Sequence, residues 1–181
     1  FIQSSNPSSI CDIGCGNGAL LKSIRQLGNF RLYGIEADCE GAKIASRQCP
    51  DARILNISTE DDPPTELENI ELVISTEVIE HLFRPASLLE FAHKILAPSG
   101  RMIISTPYHG YLKNLAISLA NGWDKHFTVS WTGGHIKFFS RTTLQSMLSD
   151  SGFTPEKFIG AGRMPFLWKS MLVIARPQTG S

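Results

Sequence analysis

Ser9-Ile10-Cys11-Asp12-Ile13-Gly14-Cys15-Gly16-Asn17-Gly18-Ala19-Leu20-Leu21 is the stretch on which the fold turns. Ile10, Cys11 and Ile13 read as the end of a buried strand. Gly14, Gly16 and Gly18 make a loop almost without side chains. Ala19, Leu20, Leu21 and Ile24 then begin an apolar helical spacing. Strand, glycine loop and helix form a tight turn that lets a ligand lie against bare backbone at a helix N-terminus.

Gly14, Gly16 and Ala19 also satisfy the dinucleotide pattern G-x-G-x-x-G/A. Asp12, two residues before the first glycine, pulls the other way. A pyrophosphate is an anion, and a carboxylate at the loop entrance repels it. A cationic or zwitterionic ligand suits that entrance better. An ordinary glycine turn in an α/β sheet is the plain alternative.

Outward from the loop, strand and helix alternate. Ser23, Ile24 and Leu27 continue the first helix, with Gly28 as its stop. Arg31–Ile35 reads as a second strand. Glu36 ends it, 22 residues after Gly14, where an acid accepts ribose hydroxyls. A helix over Glu40–Arg47, a strand over Ala52–Leu55, an acidic loop over Thr59–Asn69 and a strand over Ile70–Ser75 follow. Pro85 suits the first turn of a helix striped by Leu88, Leu89, Ala92, Ile95 and Leu96. Pro98-Ser99-Gly100 reads as a turn before a strand over Arg101–Ser105. Ser140 caps a helix over Arg141–Ser149, with Gly152 beyond it. Phe153–Ile159 and Met171–Ala175 lack a crossover helix between them and should pair antiparallel.

The expected fold is therefore α/β: a doubly wound, mostly parallel, seven-stranded Rossmann-like sheet with an antiparallel last strand. At 181 residues it is expected to form one domain, 1–181. The 17 basic and 17 acidic residues cancel, which disfavours a nucleic-acid backbone as partner. No apolar run reaches the roughly 18 residues of a membrane span. Cys11, Cys15, Cys39 and Cys49 contain no C-x-x-C pair and read as free, buried thiols of a cytoplasmic protein. The chain opens on Phe1 with its first strand almost at once, so a segment upstream is expected.

The D-x-G-x-G-x-G stretch resembles motif I of the class I S-adenosylmethionine (SAM)-dependent methyltransferases. The resemblance covers roughly Ser9–Arg176 and extends to the reversed last strand. It implies that Asp12 lies near the methionine end of SAM and that Gly14, Cys15, Gly16 and Gly18 line the cofactor. It further implies that Glu36 and Ala37 serve the ribose, Asn56 and Ile57 the adenine, and that Thr76 borders the site. Asn56 replaces the family's usual acid. The competing readings are an NAD(P)-dependent oxidoreductase, which shares the loop and Glu36, and a non-catalytic binding module of methyltransferase fold.

Glu77, Glu80 and His81 follow the fourth strand with spacing E-x-x-E-H, which on a helical turn places them on one face. Such a set suits Mg²⁺, Mn²⁺ or, given the imidazole, Zn²⁺. His135 is the candidate fourth ligand. This set resembles that of the ubiquinone-biosynthesis O-methyltransferases and of the small-RNA 3′-terminal 2′-O-methyltransferases. The resemblance implies that Glu77, Glu80, His81 and His135 hold a divalent ion at the acceptor hydroxyl. Against this, an E-H-L segment also occurs in small-molecule methyltransferases in which its His only packs. Without an ion, His81 or His135 is a candidate general base.

Between about 107 and 135 lies a lid-like insertion, with Leu112, Leu115, Ala116 and Leu119 at helical spacing and Phe127 and Trp131 beyond. Phe138, Phe139, Phe166, Leu167 and Trp168 add aromatic and apolar weight. Extra core is the expected role. A cover over an apolar acceptor and a peripheral membrane contact are the alternatives. His93, His109 and His126 read as surface or structural. The expected partner is a small lipophilic or phenolic acceptor; oligomeric state is not legible.

Overall fold

All five residues of Ser9–Ile13 are buried, as a central strand of a sheet covered on both faces requires. The computed structural model describes residues 1–127, 130 and 133–178. The elements run α1 (Ile2–Ser5), β1 (Ser9–Ile13), α2 (Ala19–Arg25), β2 (Arg31–Ile35), α3 (Cys39–Gln48), β3 (Ala52–Leu55), β4 (Ile70–Thr76) and α4 (Ala86–Ile95). They continue with β5 (Leu96–Pro107), α5 (Tyr111–Leu119), α6 (Trp123–Phe127), α7 (Arg141–Asp150), β6 (Phe153–Ala161) and β7 (Ser170–Pro177). The strands form one seven-stranded sheet in the order β3-β2-β1-β4-β5-β7-β6. β1 to β5 are parallel; β7 runs antiparallel to both β5 and β6. The reversed β7 separates this sheet from the all-parallel dinucleotide arrangement that the oxidoreductase reading needs.

Side chains alternate across the sheet with period two. Ile10 of β1 and Leu72 and Ile74 of β4 pack with Leu21 and Ile24 of α2 and Ala45 of α3. Cys11, Ile13 and Val73 face the other way, against Leu88, Phe91 and Ile95 of α4 and Leu144 and Leu148 of α7. Phe153, fully buried at the start of β6, adds roughly 1.5–3 kcal/mol to that second core. Ser140 caps α7 with a capping box through Thr143, and Gly152 closes the end at φ 80°.

Four expectations need correction. The first helix ends at Arg25, not Gly28: the Arg25 guanidinium donates to Asn29 Oδ1 (3.2 Å) and to the Phe30 carbonyl (3.0 Å), drawing the chain into the next strand. Pro98-Ser99-Gly100 is not a separate turn but part of β5, carried in an irregularity where the β4 register moves from Ile70↔Leu96 to Leu72↔Arg101. Cys11, Cys15 and Cys49 are buried free thiols, whereas Cys39 is exposed at the start of α3. The insertion is not extra core: Leu112, Leu115 and Leu119 of α5 stand in solvent, Leu119 at 80% exposure, as do Phe138 and Phe166. Phe139 is buried, and Trp131 lies outside the described residues.

Because β1 to β5 are parallel, their carboxyl ends share one edge. The chain leaves β1 for β2 on one side and later returns to β4 on the other, so the crevice of the sheet opens between the β1 and β4 ends.

Candidate functional site

The glycine loop forms one wall of that crevice. Gly14 and Cys15 donate their amides to the Ile35 carbonyl at 2.8 and 3.0 Å, which folds the loop back over the end of β2. Gly14, Gly16 and Gly18 all hold positive φ, where a side chain is strained. A Cβ on Gly14 would strike Val78 and one on Gly18 would press on Ala45, but one on Gly16 would meet nothing within 4 Å. Gly16 therefore faces open space of the kind a ligand fills.

Glu36 reaches back to this loop. Its Oε2 accepts from the Gly16 amide (2.7 Å) and its Oε1 from the Asp38 amide (2.9 Å), which fixes the carboxylate at the mouth. Asn56 donates both amide hydrogens, to the carbonyls of Glu36 (2.9 Å) and Ala37 (3.0 Å). Its Oδ1 remains to accept from a ligand. Ile57 packs partly buried beside it. Cys15 is turned into the core, where burial pushes its thiol up to about 12, so it can serve a ligand only through its backbone. Asp12 is 1% exposed and its Oδ1 has no hydrogen-bond partner among the described residues. Burial, then the charge of Glu36, raises its carboxyl to about 7. A buried, unpartnered acid at the root of an open loop suits a ligand that brings a cation or a strong donor.

The segment after β4 forms the opposite wall. Thr76 ends the strand, and Val78 packs against Gly14, so the two walls touch. Glu77 holds φ 56°, a strained conformation for a non-glycine residue. Its amide donates to the Ser105 carbonyl (3.1 Å), and its Oε1 accepts from Ser105 Oγ (3.0 Å). That kink removes Glu77 from the helical turn expected for E-x-x-E-H. Only Ile79–His81 forms a turn, and it is 3₁₀.

His135 is nevertheless drawn in, by backbone. The Glu80 carbonyl accepts from the amides of Ile136 and Lys137, each at 3.0 Å. His81 Nδ1 lies 3.3 Å from the Gly134 carbonyl. A carbonyl only accepts, so Nδ1 donates this bond, and in the neutral tautomer that leaves the Nε2 lone pair free. The His81 and His135 rings stand edge to face with centroids 5.0 Å apart.

Glu80 is fully buried. Its Oε2 accepts from Thr106 Oγ1 (3.0 Å), and its Oε1, without a hydrogen-bond partner among the described residues, lies 3.9 Å from His81 Nε2. Burial, aided by Glu77, raises its carboxyl to about 7. Burial and the neighbouring His81 lower the His135 imidazole. Ligand atoms of Glu80, His81 and His135 all lie within 4.8 Å of one another; Glu77 is outside that set. Metal–ligand bonds of about 2.0–2.2 Å need ligand atoms roughly 3–3.5 Å apart, so small side-chain rotations would close the three around an ion. One buried carboxylate oxygen and two imidazoles, a mixed oxygen and nitrogen set, fit a divalent cation.

A cavity of about 390 Å³ adjoins this wall, lined by Glu77 and His135 and also by His109, Lys113 and Arg163. Of these last three, His109 reads from the sequence as surface or structural, and none reads as a site residue. His109 is not a surface residue: it is 8% exposed, stacked on Phe127 and edge-on to Phe138. The signal available was charge: the insertion carries Lys113 and Lys125 against the single acid Asp124.

Comparison with known proteins agrees with this arrangement. A family model described as a methyltransferase domain matches residues 2–157. A ubiquinone biosynthesis O-methyltransferase of Hydrogenovibrio crunogenus is 29% identical over 169 residues, covering 91% of this chain and 70% of its own length. One from Cereibacter sphaeroides is 28% identical over 170 residues, covering 88% of this chain. The chain spans 61–70% of the length of the first three such relatives. Among solved structures, magnesium protoporphyrin IX methyltransferase from Synechocystis PCC 6803, with S-adenosylhomocysteine bound, superposes with a TM-score of 0.69 at 15% identity, covering 93% of this chain and 74% of that one. That likeness speaks for the fold. The glycine loop, the reversed β7 and the matched family model together show that this chain belongs to the class I SAM-dependent methyltransferases, within the methyltransferase-domain family.

Proposed function

We propose that the chain moves a methyl group from SAM to a hydroxyl of a small lipophilic or phenolic acceptor, assisted by a divalent ion on Glu80, His81 and His135. The observation that carries this is the crevice itself. One wall offers an open glycine and an unpartnered acid, and the other offers three convergent metal-type ligands. The relatives named for ubiquinone biosynthesis support oxygen as the methylated atom. The neutral net charge supports a small acceptor over RNA.

SAM, when bound, supplies a methyl group made electrophilic by its sulfonium. The chain's residues have the tasks of holding and aligning it. Asp12 takes the ammonium of the methionine end, Gly14, Gly16 and Gly18 give the backbone surface, and Glu36 accepts the ribose hydroxyls. Asn56 Oδ1 accepts from the adenine amine, Ile57 flanks the ring, and Cys15, Ala37 and Thr76 complete the rim. A divalent ion, when held, makes the acceptor hydroxyl more acidic near neutral pH. Glu77, just outside the three, sets their charge. A second reading has its own support: with its tautomer fixed by Gly134, His81 Nε2 is a ready general base without any ion. The insertion of α5 and α6 acts as the lid, within one domain over 1–181. The buried thiols fit a reducing compartment such as the cytoplasm. Among the described residues no helix is long and apolar enough to cross a membrane.

Transfer of a labelled methyl group from SAM to a panel of catechols, with and without chelator, tests this reading. Turnover that stops with chelator and returns with Mn²⁺, Mg²⁺ or Zn²⁺ is expected. Turnover indifferent to chelator would leave His81 as base and remove the ion. S-adenosylhomocysteine binding without transfer to any hydroxyl would reduce the chain to a binding module.

The raised carboxyl of Asp12 gives a pH dependence. With its folded value near 7 against an ordinary 3.8, the ligand-free folded protein holds a proton that the unfolded chain has already lost. That contribution to stability therefore falls as pH rises from about 4 to 7. An ammonium beside Asp12 favours the carboxylate, so binding expels the proton below pH 7. S-adenosylhomocysteine affinity is expected to weaken as pH drops from 8 to 6, by up to about tenfold per unit at the low end. Calorimetric titration of wild type and Asp12→Asn checks it. The variant binds more weakly with a flattened profile; an equally steep profile would remove Asp12 as the cause.

A further inference from the structure

Among the described residues, the cations beside the acceptor wall outnumber their counter-charges: Glu77 is the acid that faces Lys113. Lys113, on α5, is 4% exposed, and its Nζ donates to the Tyr108 carbonyl (2.7 Å) and more distantly to the Lys169 carbonyl (3.4 Å). An ammonium has three hydrogens, so one donor remains. Lys113 lines both the 390 Å³ cavity and an adjoining one of about 570 Å³, and His126 and Arg163 line both with it. Arg163 sits exposed in the β6–β7 connection at φ 49°, next to Gly162, and no carboxylate lies within 4 Å of its guanidinium among the described residues. From Tyr108 to Lys137 the chain carries Lys113, Lys125 and Lys137 against one acid, Asp124; from Gly162 to Lys169 it carries no acid. Among the described residues, Glu77, held by Ser105, is the one acid lining either cavity.

The mutual repulsion is visible. Burial first, then Lys113 and Arg163, lower the His126 imidazole; burial, then Arg163, lowers the Lys113 ammonium. Independently, His109 Nε2 is buried at the wall of the smaller cavity without a hydrogen-bond partner among the described residues. Burial, then Lys113, lowers this imidazole to about 4, so it is neutral and able to donate one hydrogen there. Excess cations and an orphaned imidazole, gathered round a cavity, cost stability unless a ligand answers them.

We infer that this cavity is a subsite for a carboxylate carried by the methyl acceptor, bound by the Arg163 guanidinium and the free donor of Lys113, with His109 Nε2 as a neutral partner. This rests on the acceptor-methylation reading and narrows it: the acceptor is a hydroxylated ring bearing an acid on a short arm. The planar guanidinium fork matches a carboxylate in two parallel hydrogen bonds, which sets the hydroxyl end toward Glu80, His81 and His135.

The test compares 3,4-dihydroxyphenylacetate with 4-isobutylcatechol, an uncharged counterpart with the same number of side-chain heavy atoms and the same branching, by calorimetric binding to the protein saturated with S-adenosylhomocysteine. The acid is expected to bind about tenfold more tightly, as a charge-assisted pair of bonds allows. Arg163→Gln, at an exposed position that leaves the core untouched, should bring the affinity ratio close to one. Equal affinities in wild type, or a preference that survives Arg163→Gln, would overturn the subsite. So would Arg163-dependent binding to phosphatidylglycerol vesicles without preference for the acid, which would make the cleft a headgroup contact. Selective binding of the acid without methyl transfer would uphold the subsite while the methylation reading failed; transfer to both catechols with equal KM would do the reverse.

Discussion

Gly16→Val is expected to abolish S-adenosylhomocysteine binding, weakening it by at least about a hundredfold, because its side chain takes the ligand's place. The Gly16 amide is tied to Glu36 at 2.7 Å, its φ is 54°, and a Cβ there projects into open space. A branched side chain would stand in that space. The same φ makes valine strained by roughly 1–3 kcal/mol, so the variant should also melt somewhat lower than wild type. The informative readout is therefore the ligand-induced change in melting temperature, not the melting temperature alone. Wild type should be stabilised by S-adenosylhomocysteine and the variant should not. A variant stabilised as much as wild type would mean that the cofactor lies elsewhere.

His135→Ala carries the second large effect, on turnover and not on cofactor. His135 is exposed, and the backbone bonds that bring it in run from Ile136 and Lys137 to Glu80, so replacing its side chain leaves that anchoring in place. Stability should stay within about 0.5 kcal/mol of wild type. Loss of an ion ligand or base should lower kcat by about 100-fold or more. Cofactor affinity should hardly move, because the imidazole belongs to the acceptor wall. If chelator slows wild type but makes no further difference to the variant, the ion and His135 act together. Unchanged kcat would remove His135 from the chemistry.

β1 to β4 were legible within a residue or two, whereas β5 begins five residues before the expected Arg101, because Pro98-Ser99-Gly100 is carried inside the strand. Strands buried on both faces are rich in apolar residues, as in Ile10, Cys11 and Ile13 and in Leu72-Val73-Ile74, and glycine, proline and acidic loops mark their ends. The cofactor wall was legible for a related reason: glycines and acids at fixed spacing in a short local segment fold together. The acceptor wall was less so. The E-x-x-E-H spacing suggested a helical face, but Glu77 is held at positive φ by Ser105, a residue of β5 that no local pattern could supply. His135 joins His81 and Glu80 through bonds spanning more than fifty residues. The apolar stripe of α5 looked like core, yet Leu112, Leu115 and Leu119 stay in solvent, while the one charged residue of that helix, Lys113, is buried. Its burial depends on the carbonyls of Tyr108 and Lys169, a tertiary pairing that outweighs helix periodicity. His109 was passed over because Phe127 and Phe138, which enclose it, come from later segments.

The most direct test of the central claim, that the glycine loop and Asp12 hold SAM, is the melting temperature of the wild-type chain with saturating S-adenosylhomocysteine and, separately, with NAD. At a hundred times its dissociation constant a ligand adds about 2.7 kcal/mol. For a chain of this length that is a rise of roughly 5–10 °C. The account predicts that rise with S-adenosylhomocysteine and none with NAD; no rise with S-adenosylhomocysteine, or an equal rise with NAD, would contradict it.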